Sequence, residues 1–322
     1  MNDVAEAGGP AAPGDPSGRR TVSVVIPTRD RAALLREALA SVREIEGPDL
    51  VLDIIVADNG SNDETPEVAR EFGARLVRAV RPGAGAARNA GLGAATGEFV
   101  AFLDDDDVWL PGHLRPHLAL LDQHPDYAGV VGQVANASPD LTSHGPFWPE
   151  DLPRDGELYR TFLSVYPQIG ATVVRRAALG GQGMFDEALL GDQDWDWHLR
   201  LALKHRLGFV AVPCVLFRQR AGGSSDRLQW RRMAFTYRVL FTNLWRGGPR
   251  RFPGPIGLAR IYLRIAGLYY SYFAESAAVG ARTNSRGATI RALGGALVAS
   301  PLHTGRDLLR PSSLRRSFAW LL

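Results

Sequence analysis

Short, unbroken apolar runs alternate with stretches of helical spacing along the first third of the chain. Residues 21–26 (TVSVVI) form a β-branched run closed by Pro27, the pattern of a strand buried on both faces. In residues 31–43 the positions Ala32, Leu35, Ala38, Leu39 and Val42 recur at helical spacing. A second buried strand over 51–57 ends at Asp58-Asn59-Gly60-Ser61, and 65–72 reads as a helix with Pro66 in its first turn. A third strand is predicted at 74–79, a Gly/Ala-rich helix start at 81–93, and a fourth strand at 99–103, between Gly97 and a run of acids. Strands and helices in strict alternation predict an α/β fold with a doubly wound, mostly parallel sheet. Ligands of such sheets bind at the carboxyl ends of the strands. That rule brings Pro27 to Asp30, Asp58, Arg88 and the acids Asp104 to Asp107 to one edge.

The second half is less regular. A helix is predicted over 113–123 and a central strand over 129–134, followed by a Pro-, Ser- and Asp-rich loop over 136–156. That loop is long enough to have a functional role, with Trp148 either stacking on a bound molecule or pinning the loop down. In 185–201 (FDEALLGDQDWDWHLRL) a helix start is crowded with Asp192, Asp194 and Asp196, which suits helix capping as well as chemistry, and Trp195 and Trp197 suit a core. Residues 208–220 read as one or two strands. Helices follow at 228–244, 256–281 and 289–300, with a basic, Pro/Gly-rich break over 247–255. The predicted organisation is a disordered leader over 1–20, an α/β domain over 21–225 with halves at 21–113 and 114–225, and a helical C-terminal extension over 226–322.

Composition narrows this picture. With 322 residues and 45% hydrophobic content, the chain can bury a substantial core and is not a disordered protein. Its single cysteine, Cys214, excludes a disulfide framework and a cysteine-rich metal site and points to a reducing compartment. The apolar neighbours of Cys214 mark it as a core residue. The net charge of +3 conceals an asymmetry: from Arg227 onward there are sixteen arginines and two acids, Glu275 and Asp307, leaving the preceding residues at −11. Such a basic tail fits an anionic membrane surface. Its arginines alternate with large apolar residues and carry no DNA-binding motif, so nucleic acid is not an expected partner. No signal-peptide pattern opens the chain, and no uncharged apolar run reaches the ~20 residues that span a bilayer. The segment 256–281 carries Arg260 and Arg264 beside Tyr262, Tyr269, Tyr270, Tyr272 and Phe273. It reads as a surface-associated amphipathic helix, with packing on the α/β domain or dimerisation as the other uses of that face.

The acid run carries the candidate chemistry. Four adjacent carboxylates at a buried strand end repel one another unless a cation or hydrogen-bond donors compensate them. A hard divalent ion, Mn2+ or Mg2+, would do so; an acidic loop with Asp107 capping the helix begun by Pro111 is the other reading. Asp58 can accept from a base or ribose or simply close a turn, and Arg88 can reach phosphate or base. Gly83 and Gly85 lack the third glycine of a dinucleotide fingerprint, which argues against a dehydrogenase.

These residues also carry a family resemblance. VSVVIPTRDRAALLREALASV, IIVADNGSND and RPGAGAARNAGLGAATGEFVAFLDDDDVWLPGHL resemble, in order and spacing, the nucleotide-binding half of family 2 glycosyltransferases of the GT-A fold. The resemblance implies that Pro27, Arg29 and Asp30 lie at the first nucleotide-contacting strand end, that Asp58 holds the base, and that Arg88 contacts the nucleotide. It implies that Asp104 and Asp106 are the D-x-D pair, with Asp106 the direct metal ligand and Asp105 among the nucleotide-sugar contacts. The stretch around Asp194 resembles the family's Glu-Asp-Trp motif, with Gln193 in the glutamate's place. Asp194 is then the expected catalytic base and Asp192 the reserve. In Phe217-Arg218-Gln219-Arg220 the family's histidine is replaced by Arg220, which can neutralise a leaving diphosphate but cannot ligate metal. The implied activity is inverting transfer of a sugar from a UDP-, dTDP- or GDP-linked donor to an acceptor hydroxyl, in cell-surface polysaccharide, glycolipid or secondary-metabolite glycosylation. The implied setting is a cytoplasmic protein with peripheral contact at the inner face of the plasma membrane. A metal-dependent nucleotidyltransferase and a non-catalytic sugar-nucleotide or membrane-binding protein are the competing classes.

Overall fold

The computed structural model describes residues 18–180, 184–219, 226–282 and 286–301. The described residues form two compact units, one from those within 18–158, 167–187 and 204–218, the other from those within 159–166, 188–203 and 219–301.

The first unit is built on an eight-stranded sheet. Its elements in chain order are β1 (Arg20–Thr28), α1 (Ala32–Arg43), β2 (Leu50–Asp58), α2 (Thr65–Glu71), β3 (Arg75–Arg78), α3 (Ala84–Ala94), β4 (Phe99–Phe102), β5 (Val108–Trp109), α4 (Leu114–Gln123), β6 (Tyr127–Ala137), β7 (Thr172–Arg175) and β8 (Arg206–Arg218). The strand order is β3-β2-β1-β4-β7-β6-β8-β5. The first four strands of that order are mutually parallel, with Thr28 beside Asp58 and Val25 beside Phe102. β7 runs antiparallel to both of its neighbours, β6 and β8 pair in parallel, and β5 closes the far edge antiparallel to β8. The expected α/β, doubly wound, mostly parallel sheet is therefore present, and the strand expected over 129–134 lies inside it.

The apolar patterning explains the placement. Every residue from Val22 to Thr28 is buried, and Phe99 to Leu103 are wholly shielded, as β-branched and aromatic side chains covered on both faces require. α1 turns Leu35, Ala38, Leu39 and Val42 inward, the residues its helical spacing marks. Each such side chain contributes about 1.5–3 kcal/mol by leaving water. Trp148 lies against this core while its backbone exchanges hydrogen bonds of 2.9 and 2.8 Å with Val134, so it pins the long loop down. Cys214 is buried too, and burial pushes its thiol up to about 12, in keeping with a core residue.

The second unit comprises α5 (Tyr159–Phe162), α6 (Gln193–Lys204), α7 (Asp226–Arg251), α8 (Gly254–Arg282) and α9 (Arg286–Ala299). α7 breaks its helical geometry at Gly248, where φ is 62°, just before Pro249 and inside the break expected from the sequence. Trp195 and Trp197 of α6 are buried; the indole of Trp195 donates to the Phe162 carbonyl at 2.6 Å and stacks on Tyr166. No helix among the described residues is long and apolar enough to cross a membrane.

The turn into β4 tests this packing. A Cβ on Gly97 would stand 2.6 Å from the Ser23 backbone nitrogen and 3.0 Å from the Thr21 carbonyl, where no flexible side chain can yield. Gly97→Ala should lower stability by about 1–3 kcal/mol, read as a lower denaturation midpoint. Gly93→Ala, with nothing within 4 Å and a helical position in α3, should instead raise stability by about 0.5–1 kcal/mol.

Candidate functional site

The carboxyl ends of β1, β2 and β4 form one edge because these strands are parallel and adjacent. Side-chain hydrogen bonds knit that edge together. Asp58, at the end of β2, accepts the Ser61 N–H on Oδ1 at 2.8 Å, and the Ser61 hydroxyl in turn accepts the Asp30 N–H at 3.0 Å. Asp30 takes a left-handed backbone with φ 51° and accepts the Asn62 N–H at 2.8 Å. The two loops are thereby locked to each other. Asn59 reaches the start of α3 by accepting the Gly83 N–H at 3.1 Å. Asp58 thus has the turn role its DNGS context allows, yet its other oxygen, Oδ2, is buried without a hydrogen-bond partner, with the Arg78 guanidinium 3.6 Å away. A buried carboxylate oxygen left in that state is poised to accept from a further N–H or O–H group. Pro27 is buried in β1, while Arg29 and Asp30 project beyond it, exposed and 3.4 Å apart.

The acid run sorts into two pairs. Asp105 and Asp107 are buried and engaged by the fold: Asp105 accepts from the Thr28 hydroxyl at 2.8 Å and from Arg31 at 2.9 Å, and Asp107 accepts the Arg218 N–H at 2.9 Å. The side chains of Asp104 and Asp106 stay 27% and 13% accessible. Asp104 pairs with Arg88 at 2.6 Å, and Asp106 accepts from Arg31 at 3.0 Å. The expected D-x-D pair is thus the accessible one. Asp105, expected among the nucleotide-sugar contacts, faces Thr28 and Arg31 and holds that arginine in place. The helix begun near Pro111 has no side-chain cap, and Asp107 is turned to β8.

Electrostatics follow from this crowding. Burial, opposed by Arg31 and Thr28 and reinforced by Asp106, pushes Asp105 up to about 6. Burial, followed by repulsion from Asp104 and Asp106, raises Asp107 well above the carboxylate range. That surplus of negative charge, together with two accessible hard-oxygen donors, fits Mn2+ or Mg2+, which bind one or two carboxylates and complete their shells with phosphate and water. Among the described residues no three acid groups of this run gather into one cluster, so most of the shell would come from a ligand.

Two residues of this edge carry no signal of their own in the sequence. Arg31 bridges Asp105 and Asp106, and Arg218 binds the Asp106 carbonyl at 2.7 Å, the Pro139 carbonyl at 2.6 Å and Glu37 at 2.6 Å. Arg218 lies in the Phe217-Arg218-Gln219-Arg220 stretch that resembles a family motif, which was the available pointer; Arg31 follows Asp30 directly. Arg88 is buried, with its guanidinium 5.5 Å from the Phe185 ring. Arg220 lies outside the described residues.

The second unit carries the other acids. Asp194 opens α6 and accepts its neighbour Trp195's N–H at 2.9 Å, a first-turn arrangement that also satisfies a free helix donor. Asp192 is buried with φ 56° and accepts from the Thr236 hydroxyl; burial pushes it up to about 6. Asp196 is held by Arg200, Arg246 and Asn243.

The chain is similar to known proteins. Residues 23–180 match the model of Glycosyl transferase family 2. The chain is 38% identical over 149 residues to the Campylobacter jejuni GalNAc(5)-diNAcBac-PP-undecaprenol beta-1,3-glucosyltransferase, covering 42% of this chain and 45% of that enzyme. Among solved structures it resembles the S. aureus TarS fragment 1-349 in complex with UDP-GlcNAc, at a TM-score of 0.57, 20% identity, and 93% and 88% coverage of the two chains. It also resembles the mannosyltransferase PcManGT from Pyrobaculum calidifontis in complex with GDP-Man and Mn2+, at a TM-score of 0.57, 21% identity, and 96% and 86% coverage. These likenesses show the GT-A fold. The chain spans between 44% and 60% of the length of the first curated relatives it matches.

The Arg31 bridge gives a pH-dependent expectation. Below its unfolded value Asp105 is protonated in both states; between about 4 and 6 the folded protein holds a proton that the unfolded chain releases, and this contribution is lost as pH rises through about 6. In Arg31→Gln the ionised Asp105 loses its partner. Because Arg31 is one-third exposed, the cost at pH 8 should be on the order of 2 kcal/mol, below the value for a fully buried pair, and should shrink toward pH 5. Denaturation midpoints of both proteins across that range measure it; a pH-independent difference would contradict the assignment.

Proposed function

We propose, from the match of residues 23–180 to Glycosyl transferase family 2, that this chain is an inverting glycosyltransferase acting on a nucleotide-diphosphate sugar. The observation that carries the reading is the convergence of Asp58, Asp30, Arg88 and the accessible pair Asp104 and Asp106 on the carboxyl edge of three parallel strands. The Oδ2 of Asp58, buried without a hydrogen bond, suits a base or ribose donor group. Pro27, Arg29 and Asp30 flank the nucleotide in this reading, and Arg88 faces its anionic portion while fixing Asp104.

The acceptor hydroxyl oxygen attacks the anomeric carbon, the bond from that carbon to the diphosphate oxygen breaks, and the nucleoside diphosphate leaves with the electron pair. Asp194 takes the hydroxyl proton, with Asp192 as the reserve base. Asp106, supported by Asp104, would hold Mn2+ or Mg2+, which when bound supplies neutralisation of the diphosphate charge. Arg31 orients Asp106 through its 3.0 Å ion pair and keeps one carboxylate oxygen committed to the protein. Arg220 is assigned to the same leaving group on its place in the sequence.

The similarity to a glucosyltransferase named for an undecaprenol-linked glycan favours a lipid-linked or cell-surface glycan as acceptor, and the second unit supports a peripheral membrane location. Trp245 and Ile256 are 88% and 72% exposed, among exposed arginines that include Arg250, Arg260 and Arg264. The reading therefore puts the protein at the inner face of the plasma membrane.

A thermal-shift panel of UDP, GDP, dTDP and CMP, each with and without Mn2+, should single out one diphosphate, whose stabilisation reaches about 2.7 kcal/mol at a hundredfold excess over its dissociation constant. With the matching sugar conjugate, Asp106→Ala and Asp194→Asn should each reduce release of the nucleoside diphosphate by about 100-fold or more while still melting cooperatively. Normal turnover in either variant removes that residue's role, pyrophosphate as product makes the protein a nucleotidyltransferase, and binding without turnover makes it a binding protein. Separately, the protein should co-sediment with anionic vesicles and not with neutral ones, and Trp245→Ser with Ile256→Ser should weaken that binding; co-sedimentation unchanged in the double variant would refute membrane contact through this face.

A further inference from the structure

Away from the acid run, the described residues bring one set of metal-type donors together. His113, just before α4, His117, one turn further along it, and Cys214 of β8 are all buried, and their ligand atoms lie within 4.8 Å of one another.

Three details separate this trio from ordinary core packing. Both ring nitrogens of His113 are buried without a hydrogen-bond partner, a state that costs about 1–3 kcal/mol for a polar group with nothing to bind. Each ring nitrogen of His117 faces a carbonyl oxygen, Nδ1 at 2.6 Å from that of His113 and Nε2 at 3.2 Å from that of Ala171. A neutral imidazole has one N–H, so one of these contacts sets a lone pair against a lone pair. Donation from Nδ1, the shorter contact, leaves Nε2 bare, which is the state of a metal-bound histidine whose other nitrogen is anchored to a carbonyl. Finally, a Cβ on Gly132 would stand 2.4 Å from Cys214 Sγ and 3.0 Å from His117 Nε2. Glycine at 132 therefore keeps side-chain atoms out of the space beside both donors.

We propose that His113, His117 and Cys214 form a buried structural site for one d10 metal ion, Zn2+ or Cu+. The donor set of two imidazoles and one thiolate is soft and excludes the hard ions suited to Asp104 and Asp106. On binding, the Cys214 S–H releases its proton to solvent as the sulfur–metal bond forms, and no electron is transferred. Zn2+ leaves the site with one net positive charge, whereas Cu+ leaves it neutral. In either case the ion ties α4 to β8 and gives the His113 ring a partner.

Full-length protein produced with added zinc or copper and passed through a chelator that strips weakly held ions should retain about one ion per chain, and which metal is retained identifies it. Replacing that ion with Co2+ should produce a thiolate-to-cobalt charge-transfer band in the near ultraviolet. Cys214 is the sole cysteine, so such a band has no other source. Cys214→Ser should abolish the band, and His117→Gln should lose the ion; if either variant fails to fold, the wild-type metal content and cobalt spectrum decide alone. No retained ion, or a retained ion whose cobalt form lacks the charge-transfer band, overturns the proposal, the latter assigning the metal to the acid run.

Discussion

The structure turns on the burial and crowding of four carboxyl groups at the end of a fully buried strand. Two unit charges about 4 Å apart at an effective dielectric of about 20 repel by about 4 kcal/mol, a large share of a domain's net stability. The fold answers with donors from four segments: Thr28 at the end of β1, Arg31 beside α1, Arg88 in α3 and Arg218 at the end of β8. Each also fixes the segment that supplies it. The acid run is consequently the point through which the ends of the first, fourth and eighth strands are joined.

This compensation is incomplete in a way that matters for function. Asp105 and Asp107 are buried, and the first has donors on both oxygens, so they hold the turn in shape. Asp104 and Asp106 remain accessible and each is paired with an arginine, which orients them. The result is an anionic edge whose side chains are oriented by the protein's own donors. Neighbouring Asp58 adds a buried acceptor oxygen to the same edge.

The second unit follows another logic. Its helices bury aromatic residues such as Trp195, Trp197 and Phe273 while leaving Trp245, Ile256 and Tyr262 exposed among arginines. Large apolar groups in water beside cations are costly unless an amphipathic surface covers them. The acids of 192–196 belong to this unit, where Asp192 accepts from a hydroxyl and Asp196 from amide and guanidinium groups.

The sequence by itself determined the α/β class, the order of the first elements and the edge on which the chemistry gathers. Those rest on local rules: β-branched runs such as residues 21–26, the spacing of Leu35, Ala38, Leu39 and Val42, and the fact that parallel strands share one carboxyl edge. Only the tertiary structure decided which of four identical acids are buried, because each oxygen's partner is set by Thr28, Arg31 and Arg218, residues 74 or more positions away in sequence for Asp105 and Asp107. It also decided that Asp58 has both a turn role and a spare oxygen, and that His113, His117 and Cys214 meet. No periodicity carries such information, since pairing a helix start with a residue about a hundred positions later depends on the sheet's strand order.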